Sequence, residues 1–124
     1  MFQEGLDSLL EERVRAREDV MYKVLDRSDR ESQGLFKIAH THDMDKRGLT
    51  IYLNHSVEPG DVMLVNIFLA DDGVLVKACC EVLSCVQREE NIYRARVEFI
   101  IIKQVYKQCW ENYIMRKIEE QVSM

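Results

Sequence analysis

The stretch His40-Thr41-His42-Asp43-Met44-Asp45-Lys46-Arg47-Gly48 concentrates residue types that do chemistry. Two carboxylates spaced by one residue run into a Lys-Arg-Gly turn. Such a turn can hold a metal, hold a ligand, or merely close a hairpin, with Asp capping its own backbone and Gly supplying a left-handed residue. His40 and His42 project to one face of an extended segment with Asp43 beside them. Two imidazoles and one carboxylate make a poor metal centre, so no metal is expected. Upstream, Arg13 and Arg17 stand in R-x-x-x-R spacing with Arg15 between them. As a solvated segment they would pair with Glu12, Glu18 or Asp19 for little net stability. A local basic cluster can equally receive a small anionic ligand, even on an acidic protein.

Catalysis finds no support in the chain. There is no G-x-S-x-G elbow, no phosphate loop, no H-E-x-x-H, and no Cys or Ser with an evident His base. The carboxylates at 43 and 45 would need a substrate between them that their spacing does not accommodate, so no enzymatic activity is expected. Cys79, Cys80, Cys85 and Cys109 lack C-x-x-C spacing, and the adjacent pair points to opposite faces of a strand; they read as reduced, packed thiols. A formal charge of −5 opposes a general affinity for DNA or RNA, which requires a net basic face. No apolar run is long enough to cross a bilayer and no leader precedes the domain, so a cytoplasmic protein without membrane insertion is expected.

The elements that must position these residues follow from hydrophobic period. With 124 residues, 47% hydrophobic, 31% charged and one proline, the chain has the composition of one folded domain. Leu6, Leu9, Leu10 and Val14 recur at helical spacing and predict a short N-terminal helix over about residues 4 to 12. A strand is expected from near Glu18, followed by the polar loop DRSDRESQG. From Leu35 the period is two: LFKIAHTH, GLTIYL, DVMLVNIFLA, VLVKACCEVLSCV and YRARVEFIII alternate with turn-rich pieces, as in a small antiparallel barrel or sandwich. In the last segment Ala95, Val97, Phe99 and Ile101 are expected to face a core, and Arg94, Arg96 and Glu98 to face water. The tail returns to helical spacing, with Val105, Tyr106, Cys109, Tyr113 and Ile118 on one stripe, and predicts a C-terminal helix.

Taken in order, Arg13 and Arg17 before the first strand, Asp43-Met44-Asp45-Lys46-Arg47-Gly48 in a strand-to-strand turn, and the later EPGDVMLVNIFL resemble the PilZ domain over roughly residues 11 to 102. That family carries R-x-x-x-R and D/N-x-S-x-x-G; Asp43 and Gly48 are in register, and Asp45 stands where the family has serine. The resemblance implies a mainly β fold, a six-stranded antiparallel barrel over 18–102. An N-terminal helix and Arg-containing linker over 1–17 and a C-terminal helix over 103–124 would complete the one domain.

It further implies a cyclic di-GMP receptor and adaptor. Arg13 and Arg17 would clamp phosphate and guanine, since arginine meets both by bidentate hydrogen bonds and by stacking. Asp43 would accept from guanine N1–H and N2–H₂, Asp45 would join it, and Gly48 would take a positive φ or allow close approach. Arg47 is a secondary candidate. Arg15 is another, assigned opposite-face spacing and a lesser role. A partner protein in bacterial motility, attachment or secretion is implied, and a homodimer is compatible with the pattern. The alternative is a degenerate module that has lost the nucleotide and contacts proteins through the barrel face or the terminal helix. Tyr106, Trp110 and Tyr113 motivate that alternative, because aromatics anchor interfaces.

Overall fold

The computed structural model describes residues 12–25 and 35–122. The helix expected over 4 to 12 lies outside the described residues, apart from Glu12, which is a bend. Six strands, β1 (Asp19–Val24), β2 (Lys37–Asp45), β3 (Gly48–Leu53), β4 (Val62–Leu69), β5 (Val74–Glu89) and β6 (Ile92–Ile102), precede one helix, α1 (Gln104–Val122). The strands close into an antiparallel barrel in the order β1-β2-β3-β6-β5-β4. Closure leaves no unpaired edge, which a six-stranded open sheet would have to protect.

Alternation sets the inside. Met63, Val65, Ile67 and Leu69 of β4 are buried, as are Leu49, Ile51 and Leu53 of β3, and Ala95 and Val97 of β6. Residues two apart share a face of a strand, so each strand contributes one row to a common core. Turn chemistry joins the rows. Gly73 sits at φ 64°, the left-handed region that only glycine adopts without cost, and lets the short β4–β5 connection close with Asp72 N–H donating to the Leu69 carbonyl.

Alternation fails at the far end of β6. The β5–β6 register slips between Cys79 and Cys80, where Cys80 pairs with Phe99 and Cys79 with Ile101. Past this bulge Ile101 is 69% exposed, contrary to the core position expected from its period. Cys80 is fully buried, and burial pushes its thiol up to about 12, so it packs as a small apolar group.

Helix α1 buries Trp110, Tyr113, Ile114 and Ile118 in the same core as the strands. The inward stripe therefore includes Trp110 and excludes Val105, which is 62% exposed. Trp110 meets Phe99 edge-to-face with ring centroids 5.3 Å apart, and Tyr113 donates its hydroxyl to the Glu18 carboxylate. Trp110 and Tyr113 thus anchor the helix to its own barrel and are not available as the interface anchors that the interaction alternative drew on.

Candidate functional site

Residues 13–18 run antiparallel beside β2 before β1 begins. Val14 and Met44 exchange both backbone bonds, Val14 N–H to the Met44 carbonyl at 2.7 Å and Met44 N–H to the Val14 carbonyl at 2.9 Å. Glu18 N–H donates to Thr41 Oγ1 at 2.8 Å, and Thr41 N–H donates to the Glu18 carbonyl at 3.0 Å. Val14 is fully buried, and Arg13, Arg15 and Arg17 are all exposed. An extended segment places residues i, i+2 and i+4 on one face, so the opposite-face spacing expected for Arg15 is corrected: it shares the outer row with Arg13 and Arg17. Arg13 lies beside Asp45, while the charges of Arg15 and Arg17 are felt at His42 and His40 respectively.

The turn is organised by Asp45. Its Oδ1 accepts from Arg47 N–H at 2.9 Å and Gly48 N–H at 3.1 Å, closing the connection between β2 and β3. The same carboxylate accepts from Arg96 Nη2 at 2.8 and 3.0 Å, and that nitrogen also reaches Glu98 Oε2 at 3.3 Å. Arg96, expected to face water, has a side chain only 11% exposed. Its place opposite Thr50, two residues from Gly48 on β3, brings it to the turn. The Asp45 carbonyl in turn accepts from Trp110 Nε1 at 2.7 Å.

Gly48 is required for space and not for a left-handed φ. A Cβ there would lie 2.1 Å from the Val97 carbonyl oxygen and 2.8 Å from Glu98 Cα, so β3 and β6 could not keep their spacing.

Arg13, Asp45, Arg47, Arg96 and Glu98 line a cleft of about 270 Å³. Three guanidiniums against two carboxylates leave the cleft one net positive charge, against −5 for the whole chain. The structure thus brings together Arg13, Asp45, Gly48 and the secondary candidate Arg47. Asp43 lies one step away on the same outer face, opposite Thr50. It is buried, with Oδ2 3.8 Å from His42 Nε2 and Oδ1 without a hydrogen-bond partner. Arg96 Nη1 is likewise buried without a partner.

Farther along the face, Tyr52 of β3 sits between His40 on β2 and Arg94 on β6. Arg94 Nη2 donates to the Tyr52 oxygen at 3.3 Å, leaving the phenol proton for His42 Nδ1 at 3.0 Å. Burial, then the Arg94 charge, lower the His42 pKa, with Asp43 opposing and Arg15 and Arg88 adding to the effect; burial and then Arg17 lower His40, with Asp19 opposing. Neutral His42 with Nδ1 as acceptor fits these contacts. Among the described residues no group of three or more His, Cys, Asp or Glu could hold a metal.

The fold is a closed six-stranded antiparallel β-barrel with an arginine-bearing segment laid against its β2–β3 turn. The model of the PilZ domain matches residues 11–116, and the chain belongs to that family, known as a family of non-catalytic cyclic di-GMP receptors. No curated protein matches the chain. Among solved structures, the inhibitor of motility MotI/DgrA of Bacillus subtilis superimposes with TM-score 0.68 at 14% identity, over 85% of this chain and 48% of that one. The chain therefore spans about half the length of that protein. The PilZ domain of YcgR from Escherichia coli, determined with c-di-GMP, matches with TM-score 0.65 at 14% identity over 90% of this chain and 91% of that one. A pathogenic protein of Xanthomonas campestris, a tetrameric PilZ domain, matches with TM-score 0.57 at 16% identity over 72% and 49%. Among the described residues, no helix is long and apolar enough to cross a membrane.

Proposed function

We propose that the protein is a cyclic di-GMP receptor that signals to a protein partner. The single observation that carries this reading is the Val14–Met44 bridge, beside which Arg13 of the first motif and Asp45 and Arg47 of the second border one cleft. Arg13 and Arg17 clamp phosphate and guanine, Asp43 offers its open Oδ1 to a guanine N–H, and Arg96 joins them through its open Nη1. Arg15 and Arg47 extend the basic border on either side. Gly48 acts by letting β3 and β6 approach, and Asp45 acts by closing the turn and pairing with Arg96.

Output follows from attachment of the linker to the rest of the molecule. Gln121 Nε2 donates to the Arg15 carbonyl at 3.2 Å and Tyr113 donates to Glu18, so a linker that closes on ligand changes what α1 and the linker together present. One structural relative is an inhibitor of motility, which supports a motility component as the class of partner.

The test is isothermal titration of cyclic di-GMP into wild type and Arg13→Ala/Arg17→Ala. Micromolar binding weakened roughly a hundredfold or more in the variant is expected, from the loss of two charge-assisted contacts. Silence of the wild type at millimolar nucleotide would overturn the reading in favour of a nucleotide-free interaction module.

A further inference from the structure

The outer face carries a second concavity that the two motifs do not use. It encloses about 560 Å³ between the ends of β2 and β3 and the tip of the β5–β6 hairpin, within the size range of small-molecule sites. Tyr52 and His40 form an aromatic wall, with ring centroids 5.2 Å apart. Arg94 lies 5.5 Å from the Tyr52 centroid, and its Nε is buried with no hydrogen-bond partner. Arg88, Glu89 and Asn91 of the hairpin tip close the rim.

We infer that this concavity is a guanine subsite in which the base stacks on Tyr52. The assignment follows from the chemistry of the lining. An aliphatic ligand would leave Arg94 Nε unsatisfied, whereas a purine offers a π face to Tyr52 and His40 and ring acceptors to a guanidinium. Guanine presents O6 and N7 together to arginine, and its N1–H and N2–H₂ face a carboxylate such as Glu89; adenine offers a donor where guanine has O6. Arg88 at the exposed tip supplies positive charge for the attached phosphate. The inference rests on reading this face as a nucleotide site, but it concerns residues outside both motifs and has its own probe.

The probe is guanosine 5′-monophosphate, too small to need the Arg13–Asp45 cleft, titrated into the whole chain at millimolar concentration and followed by the tyrosine ring resonances and, in every variant, by the backbone amides of Asn91 and Arg94. The expected result is saturable perturbation of the Tyr52 ring by this nucleotide and weaker perturbation by adenosine 5′-monophosphate. The affinity should fall on the order of tenfold in Tyr52→Leu, be retained in Tyr52→Phe, and drop in Arg88→Ala, whose exposed position leaves the fold unchanged. The variants are first shown to melt cooperatively. A Tyr52 ring unmoved by guanosine monophosphate, or wild-type affinity in both Tyr52→Leu and Arg88→Ala, overturns the subsite. Loss of cyclic di-GMP binding in Arg13→Ala/Arg17→Ala with unchanged guanosine monophosphate binding would support it as separate from the motif cleft. If cyclic di-GMP fails to bind wild type while the mononucleotide still perturbs Tyr52, the receptor reading falls and the subsite stands.

Discussion

Trp110 Nε1 donates to the carbonyl of Asp45 at 2.7 Å, so the C-terminal helix holds the backbone of the residue that organises the β2–β3 turn. The indole is fully buried, and the turn it supports carries Arg47, Gly48 and the Arg96 ion pair. Helix docking and the shape of the motif cleft are therefore one structural unit. Gln121 and Tyr113 extend the coupling to the arginine segment from the same helix.

Replacing Trp110 tests that unit. Trp110→Phe removes the only indole donor to the Asp45 carbonyl and leaves space beside Phe99. Urea unfolding is expected to show a loss of about 2–3 kcal/mol, from an unsatisfied buried acceptor plus imperfect repacking. Chemical shifts of the Arg47 and Gly48 amides should move in the variant, since both donate to the side chain of the residue whose carbonyl Trp110 holds. Unmoved turn amides would show the helix to be a lid on the core with no influence on the turn.

Gly48→Ala should be more damaging than its size suggests. The contacts its methyl would meet, Val97 O at 2.1 Å and Glu98 Cα at 2.8 Å, are backbone of β6 and cannot turn aside as a flexible side chain would. A destabilisation of about 2–3 kcal/mol is expected from separating two strands. Gly73→Ala provides the contrast: nothing lies within 4 Å of its Cβ, and its cost comes from φ 64°, about 1 kcal/mol. Equal denaturation midpoints for the two variants would mean that β3 and β6 relax freely at the turn.

These two cases show what a sequence reveals here. Period two made the strands legible, and the Arg and Asp-Gly spacings pointed to one turn, because both signals are local in the chain. Arg96 was not legible as a turn residue: its role depends on β6 pairing with β3 so that Arg96 falls opposite Thr50, a register that no local pattern contains. Ile101 was misplaced for a similar reason, since the β5–β6 bulge resets which face the strand presents. Trp110 lay off the stripe read from helical spacing and stood out only as an aromatic of the C-terminal helix; only packing decides whether such an aromatic meets its own barrel or a partner. The three arginines were legible in type and could have been placed together by strand period alone, since residues two apart share a face.

The two outer-face histidines predict a mild acid sensitivity. His40 and His42 both have pKa values lowered from the ordinary 6.5, chiefly by burial. Between the lowered value and 6.5 the unfolded chain binds more protons than the folded one, so this contribution is fully present above about pH 6.5 and is lost as pH falls through the folded values. Arg17, Arg94, Arg15 and Arg88 press in the same direction, and Asp19 and Asp43 oppose. Melting temperature should therefore decline as pH drops below 6.5 in wild type, and decline less in His40→Gln/His42→Gln. A steeper decline in the double variant would place the sensitivity elsewhere.

Asp45→Ser separates the stability of the cleft from its affinity. The aspartate side chain is 10% exposed and satisfies Arg96, so its removal leaves a partly buried guanidinium with Glu98 alone, at a cost of about 1–3 kcal/mol. A serine hydroxyl can still accept from the Arg47 and Gly48 amides, which preserves the turn. The charge lining the cleft, meanwhile, rises from three guanidiniums against two carboxylates to three against one. At an effective dielectric of ~20, one unit charge removed from ~8 Å of a phosphate changes the interaction by about 2 kcal/mol, reduced by screening to roughly tenfold in affinity. The expected outcome is a lower melting temperature with tighter cyclic di-GMP binding, read by thermal denaturation and titration on the same samples. Weaker binding in Asp45→Ser would instead assign the carboxylate a direct contact with the nucleotide, because repulsion and ion pairing with Arg96 both predict a gain when it is removed.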